Sequence, residues 1–169
     1  KTVSPDRVLA VFYENKPVSA LYMLEREIII SEKTYSAYYI YAVCTHPDFR
    51  GKGLMKSLFE ELFKVSKRRS IDYLFLVPEE DYLFNIYEKL GFKNGFSYSE
   101  ETLSRKDFNC IENIKNQKLT YKKYREIIKA NPKAVPVAVL KESTFDSFFN
   151  SVSGEVKIAS VENEGYALY

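Results

Sequence analysis

Apolar and polar positions divide the N-terminal quarter of the chain into three strand-like runs separated by two polar turns. The first run, Val8–Tyr13, is rich in β-branched and aromatic residues, which favours a strand. A turn at 14–17 and the longer run Val18–Ile30 complete a hairpin, and a second turn leads into the tyrosine-rich run Tyr35–Val43. The pattern therefore predicts an antiparallel meander.

The pattern changes after a loop at 45–53 that contains one proline and two glycines. Apolar residues recur at helical spacing over Leu54–Val65, and a second helix is predicted over Tyr82–Leu90, ending at Gly91. Between them, the nearly all-apolar run Ile71–Val77 predicts a strand buried on both faces. Strand, helix, strand and helix in this order predict a right-handed crossover between two parallel strands.

Beyond residue 92 the periodicity weakens, and the composition shifts near residue 104. Residues 104–133 contain nine Lys or Arg against three Asp or Glu, a basic segment whose default interpretation is a solvated face. The predicted strands lie at 95–103, 134–140, 155–161 and 166–169, and the predicted helices at 121–130 and 143–149. We therefore expect one domain over residues 1–104 and a second, smaller α/β region over residues 105–169.

Composition narrows the class of protein. With 169 residues, 46% of them apolar and 28% charged, the chain is globular. A net charge of +2 argues against a general polyanion binder, so we expect no nucleic-acid partner. No run approaches the roughly 20 apolar residues that cross a bilayer, so no membrane partner is expected either. Two cysteines without zinc-type spacing predict reduced thiols, a cytoplasmic location and no metal site.

The loop between the third strand and the first helix carries the candidate chemistry. Gly51 and Gly53 remove side chains from the backbone where a helix begins, and unpaired N–H groups there attract an anion. Arg50 and Lys52 add positive charge. The spacing predicts a phosphate or pyrophosphate site, although it matches neither a Walker P-loop nor the three-glycine dinucleotide fingerprint.

This loop and a second motif resemble the GNAT (GCN5-related N-acetyltransferase) superfamily. The segment from Arg50 to Leu54, with Pro47 upstream, resembles the acyl-CoA pyrophosphate loop of that family. The segment from Tyr87 to Phe92, YEKLGF, is similar to the element that ends the helix after the next strand in GNAT enzymes. Met55 stands where a small residue is usual. A bulky residue at this position resembles the subgroup of tandem GNAT proteins related to the enhanced intracellular survival protein.

The resemblance implies an α/β (α+β) fold with a mixed, mostly antiparallel twisted sheet whose two central strands splay apart. It also implies that a strand and two helices usually precede the first run and are absent from this sequence. Residues 105–169 would then be the start of an incomplete second GNAT-like half.

The resemblance also implies acetyl-CoA as co-substrate, without a metal. Backbone groups of Val43 and Thr45 would bind the pantetheine arm. Tyr87 would be the general acid that protonates the leaving thiolate, since a phenol is protonated at neutral pH. The residues that would hold the pyrophosphate are Arg50, Gly51, Lys52, Gly53, Leu54 and Met55.

The implied function is an N-acetyltransferase that transfers acetyl to a primary amine of a small molecule or peptide by direct attack. The alternative is a non-catalytic GNAT-scaffold module that binds CoA or mediates protein assembly. The general base stays open among Glu79, Glu80, Glu25, Glu27 and a water chain. The acceptor and the oligomeric state, a homo-oligomer included, also stay open.

Two further groups have structural interpretations at this stage. His46, the one histidine of the chain, is expected to order the loop beside Pro47 rather than act as a base. The cations Lys67, Arg68 and Arg69 are expected at a solvated helix end, where they complement the helix dipole. An alternative for these cations is contact with the adenosine 3′-phosphate of CoA.

Overall fold

The computed structural model describes residues 5–31, 33–95, 115–130, 137–149, 157–161 and 165–168. The chain divides into two compact units, Lys1–Gly95 and Phe96–Tyr169. The boundary predicted near residue 104 lies outside the described residues, as does most of the strand predicted at 95–103. The predicted division of the chain at that position therefore stays a prediction.

Four strands form the sheet of the first unit. After a 3-10 turn at Pro5–Arg7, β1 (Val8–Tyr13), β2 (Lys16–Ile30) and β3 (Lys33–Thr45) form an antiparallel meander, and β4 (Tyr73–Phe75) joins β3 in parallel. The meander and the parallel pair predicted from the hydrophobic pattern are confirmed.

Helices α1 (Leu54–Arg68) and α2 (Asp81–Lys89) share one hydrophobic core with the sheet. Alternate residues of a strand point to the same face, and helix residues three or four apart share a face. The buried core accordingly combines such positions from two strands and both helices. Its members are Leu21 and Met23 of β2, Tyr38 and Ile40 of β3, Leu58, Phe59, Leu62 and Val65 of α1, and Tyr87 of α2.

The pairing between β3 and β4 is short. It covers three residue pairs, from Ala37 with Tyr73 to Tyr39 with Phe75, whereas β3 continues through residues 40–45. The prediction of a strand over Ile71–Val77 that is buried on both faces is wrong in length and in burial. Val77 is 68% exposed and Tyr73 39% exposed, because Val77 lies beyond the end of β4 at Phe75 and Tyr73 lies at its exposed first position.

A β-bulge interrupts β3 just beyond the last pair with β4. Opposite Leu21 of β2, β3 carries two residues, Ala42 and Val43, between the pairs Tyr22–Tyr41 and Ala20–Cys44. Ala42 adopts a left-handed backbone conformation with φ of 51°. A bulge redirects the backbone and the side chains that follow it, so it re-aims the end of β3 that leads into the glycine loop.

The second unit contains a small antiparallel sheet and two helices. Its elements are β5 (Lys115–Lys118), α3 (Tyr121–Ala130), β6 (Val137–Leu140), α4 (Glu142–Phe149), β7 (Lys157–Val161) and β8 (Gly165–Leu168), with β7 between β5 and β8. The helix predicted at 121–130 is present with the same bounds, and the helix predicted at 143–149 and the later strands are present with shifted ends. Strand β5 was not predicted, because its sequence KNQK contains no apolar residue. An incomplete second GNAT-like half stays a prediction.

Candidate functional site

The loop after β3 turns at two glycines in the left-handed conformation. Gly51 and Gly53 have φ of 73° and 75°, values that favour glycine because a Cβ is strained there. No atom lies within 4 Å of the position a Cβ would take at either glycine. Both positions therefore face open space, and the glycines are required by conformation rather than by crowding.

Helix α1 begins without a side-chain cap. Its N-cap is Gly53, and no acidic residue lies in its first turn. Within the described ranges, the backbone N–H groups of residues 51–56 donate no intramolecular hydrogen bond; that of Ser57 is the first to do so, to the Gly53 carbonyl at 3.1 Å. Unpaired N–H groups and the positive end of the helix dipole form a site for an anion.

Hydrogen bonds tie this loop to the ends of β2 and β3. The His46 N–H donates to the Val18 carbonyl at 2.8 Å, and His46 Nδ1 accepts from the Asp48 N–H at 3.3 Å. Arg50 Nε donates to the Thr45 carbonyl at 3.2 Å. The expectation that His46 orders the loop is confirmed. Its imidazole nitrogen is engaged with the backbone of the loop itself.

Each of the two cationic side chains of the loop contacts another part of the same loop. The guanidinium of Arg50 is held at the Thr45 carbonyl, and Lys52 Nζ lies 4.7 Å from the centroid of the Phe49 ring. The sequence predicted that both charges belong to one anion site. The structure brings the backbone of residues 50–55 into one loop and gives the two charges different partners, a carbonyl for Arg50 and an aromatic ring for Lys52.

Val43 and Thr45 lie on the part of β3 that has passed its last pair with β4. Ser19 fixes this end of the strand to β2, because its hydroxyl donates to the Cys44 carbonyl at 3.0 Å and lies 2.8 Å from Thr45 Oγ1. The bulge at Ala42 precedes both residues and was missed from sequence. No sequence signal could have found it, because alanine does not favour positive φ.

Tyr87 is almost fully buried on α2, with 9% of its surface exposed. Its ring packs between Phe59 and Phe92, at centroid distances of 5.8 and 6.1 Å. Burial, and secondarily the nearby Tyr82, raise the pKa of the Tyr87 phenol above its ordinary value. The phenol is therefore protonated at neutral pH, the state that a proton donor requires.

The Tyr87 hydroxyl forms no hydrogen bond with another described residue. The one fully buried side-chain oxygen or nitrogen without a partner in the described part of the chain is Ser66 Oγ. The Tyr87 oxygen consequently keeps an accessible edge although its ring is buried. A buried ring with a reachable hydroxyl can present a proton to a molecule that enters beside α2.

A Schellman motif holds the end of α2 in place. The Phe92 N–H donates to the Tyr87 carbonyl at 3.1 Å, and the Gly91 N–H donates to the Glu88 carbonyl at 2.9 Å. Gly91 has φ of 96°, as the motif requires at this position. The hydrophobic contact of the motif is the one between Phe92 and Tyr87. The YEKLGF segment thus positions the phenol through the backbone as well as through packing.

The candidate bases differ in their surroundings. Glu79 and Glu80 are exposed immediately before α2, and Glu80 is its N-cap without a side-chain bond to the helix. Glu25 is 3.8 Å from Arg7 in an ion pair. In the described ranges, no three His, Cys, Asp or Glu side chains are grouped so that they could hold a metal ion. None of the described helices is long and apolar enough to cross a membrane.

The family model for the acetyltransferase (GNAT) domain matches residues 1–95. This match covers more than half of the chain, and the chain belongs to that family. Acyl transfer is therefore the general chemistry of the class, and the predicted mixed, mostly antiparallel α/β fold is confirmed. The narrower assignment to the tandem subgroup stays a prediction.

Several solved acetyltransferase structures are similar to this chain, and the one from Pyrococcus furiosus supports the fold. A putative acetyl transferase from Pyrococcus furiosus is 18% identical with a TM-score of 0.51, over 57% of this chain and 64% of that one. Glucosamine-6-phosphate N-acetyltransferase from Arabidopsis thaliana is 20% identical with a TM-score of 0.48, over 59% of this chain and 69% of that one. An acetyltransferase from Trypanosoma brucei is 20% identical with a TM-score of 0.48, over 57% and 68%. Among curated proteins, none is detectably similar in sequence.

Proposed function

We propose that the protein transfers the acetyl group of acetyl-CoA to a primary amine of a small molecule or peptide. The observation that carries the proposal is the set of unpaired N–H groups at residues 51–56, beside two glycines that face open space. These donors suit the pyrophosphate of the co-substrate, because a diphosphate needs several N–H groups at close range. The family match supports the same chemistry.

The separation of β3 from β4 supplies a place for the pantetheine arm. Residues 40–45 of β3 have no β4 residue opposite them, and Val43 and Thr45 lie within this stretch. An extended amide-containing chain can take hydrogen bonds from such a strand edge as an added strand does. We therefore assign pantetheine binding to the backbone of Val43 and Thr45, and pyrophosphate binding to the segment from Arg50 to Met55, in which the N–H groups are unpaired from Gly51 onward.

Tyr87 is the proposed general acid. As the amine nitrogen bonds to the thioester carbonyl carbon, the C–S bond breaks, and the Tyr87 phenol gives its proton to the leaving sulfur. The amine loses a proton to a base, for which Glu79, Glu80, Glu25, Glu27 and a water chain remain candidates. The phenolate then regains a proton from solvent. No metal takes part in this scheme, and cytoplasm is the proposed location.

Binding and turnover test the proposal separately. Calorimetry should show the 169-residue chain binding acetyl-CoA, and release of free thiol should accompany acetylation of at least one member of a panel of primary amines. Tertiary-amine analogues of the same acceptors are the control, because they cannot form a stable amide. Absence of binding at high micromolar acetyl-CoA would overturn the proposal. Binding without transfer to any primary amine would instead favour the non-catalytic module.

A further inference from the structure

The position of the Lys52 side chain distinguishes two places where phosphate can bind. Its backbone belongs to the run of unpaired N–H groups at residues 51–56, but its ammonium is over the Phe49 ring at 4.7 Å from the centroid. An ammonium on an aromatic face is attracted by the ring quadrupole and keeps donors for an anion. Lys52 thus offers a second positive centre beside the helix N-terminus.

An aromatic cluster supports this cation. Phe49 contacts Tyr13 at a centroid distance of 5.2 Å and the edge of His46 at 5.8 Å. Tyr13 belongs to β1 and His46 is tied to β2 through Val18, so Phe49 is fixed from the sheet side. No carboxylate of the described residues lies within ion-pair distance of Lys52. The charge is therefore positioned without being neutralised.

We propose that Lys52, positioned by Phe49, forms a second phosphate subsite that takes the phosphate monoester on the ribose of CoA. The inference rests on the proposed function. The backbone N–H groups take the diphosphate, and the ammonium, displaced towards Phe49, takes the separate phosphate group of the same molecule. A lysine suits this task because it acts as a point charge without a fixed donor geometry.

The three cations at the C-terminal end of α1 are poorly placed for this role. Lys67, Arg68 and Arg69 lie at the opposite end of α1, about 20 Å from its N-terminus at 1.5 Å per residue. Two of them are also engaged. Arg68 reaches Glu61 at 3.4 Å, and Arg69 donates to the Asp6 carbonyl at 2.9 Å and to the Tyr38 hydroxyl at 3.2 Å. The alternative that these residues bind the adenosine 3′-phosphate is therefore disfavoured.

Three thioesters separate the phosphate groups experimentally: acetyl-CoA, acetyl-3′-dephospho-CoA and acetyl-pantetheine. Calorimetry with Lys52→Met should show acetyl-CoA affinity about tenfold weaker and acetyl-3′-dephospho-CoA affinity unchanged. Phe49→Leu keeps an apolar side chain but removes the ring, and should give a smaller loss with the same selectivity. Lys67→Met is the matched control and should bind both nucleotides as the parent does. Circular dichroism confirms the fold of each variant.

The outcomes are distinct. Equal loss of both nucleotides in Lys52→Met would show that the ammonium serves the diphosphate and would overturn the inference, as would no loss of either. A Phe49→Leu variant with the full parental preference for acetyl-CoA would overturn the positioning role of Phe49. A parent protein that binds acetyl-CoA and its 3′-dephospho form equally would refute the subsite while leaving the proposed function intact. A parent that binds none of the three thioesters would refute the proposed function itself.

Discussion

Asp72 and Ser36 bind each other through a closed set of hydrogen bonds at the start of the parallel strand pair. Asp72 Oδ2 accepts from the Ser36 N–H at 2.8 Å and from the Ser36 hydroxyl at 2.7 Å, and the Asp72 N–H donates to the Ser36 carbonyl at 3.1 Å. The next residues, Ala37 and Tyr73, form the first β3–β4 pair. These bonds therefore set the register of the parallel strands.

We expect Asp72→Asn to lower the free energy of unfolding at pH 7. The hydrogen bonds from the Ser36 side chain and backbone lower the pKa of Asp72, because they favour its charged form. Their contribution is present above the ordinary carboxyl pKa of about 3.9 and is lost as the pH falls through the lowered pKa. Urea unfolding of parent and variant should therefore converge in acid.

Asp48→Asn is the control for that measurement. Asp48 is highly exposed, and its contact with His46 Nδ1 is long, at 3.8 Å. Its replacement should therefore leave the unfolding free energy unchanged at pH 7 and in acid. A difference between Asp72→Asn and the parent that stays constant from neutral to acidic pH would contradict the role given to the Asp72 carboxylate.

Gly91→Ala should destabilise the fold by about 1–2 kcal/mol. A Cβ there has room but meets the strained backbone conformation at φ of 96°. Gly95→Ala is a matched control, because Gly95 has no positive φ and its nearest added contact is the Lys93 carbonyl at 3.9 Å. Urea unfolding compares the two. Equal stability of both variants would show that the Schellman geometry does not constrain this helix end.

Gly53→Ala should weaken acetyl-CoA binding about tenfold, since a left-handed alanine costs roughly 1–2 kcal/mol and the loop would relax towards negative φ. Gly53 has φ of 75° with open space around it, so a steric clash within the protein cannot explain a loss. Calorimetry measures the affinity, with Gly95→Ala again as the control. Unchanged affinity would mean that the Gly53 conformation does not orient the N–H donors.

Tyr87→Phe should lower kcat about a hundredfold and leave KM for acetyl-CoA within a factor of about two. The ring contacts with Phe59 and Phe92 remain, so the variant removes the proton donor and little else. Tyr82→Phe is the control, because Tyr82 lies on the same helix and is 63% exposed. Steady-state kinetics would exclude Tyr87 as the acid if kcat were parental.

The same variant tests the raised pKa of Tyr87 through stability. Burial favours the neutral phenol, so its contribution is present below the ordinary tyrosine pKa of about 10 and is lost as the pH rises through the raised value. Unfolding free energies measured from pH 8 to pH 11 should fall more steeply for the parent than for Tyr87→Phe. Parallel profiles would indicate that the phenol ionises as freely in the folded state as in the unfolded one.

Local patterns predicted much of the first unit because each depends on near neighbours in sequence. Apolar and aromatic runs between polar turns placed β1 to β3, helical spacing placed α1, and the glycine pair located the loop at the start of that helix. Tyr87 and Gly91 were found as part of one motif, and the structure joins them in one helix end. These features follow from backbone geometry and burial within a few residues.

The features that sequence could not supply depend on contacts between distant segments. The bulge at Ala42 arises from the register between β2 and β3, and no residue type in that segment predicts it. The position of Lys52 over Phe49 depends on Tyr13, which lies more than thirty residues earlier in the chain. The sequence favours an extended chain up to Val77, but β4 ends at Phe75, the last residue that pairs with β3.

The short pairing of β3 with β4 has a mechanical consequence. The two parallel strands are joined by three residue pairs. The hydrogen bonds between Ser36 and Asp72 anchor them at the start of this pairing. Beyond Tyr39, movement of β3 relative to the chain that follows β4 breaks no ladder hydrogen bond between them. Amide hydrogen exchange should accordingly be faster along 40–45 than along 37–39 wherever the β2 side does not protect the N–H groups.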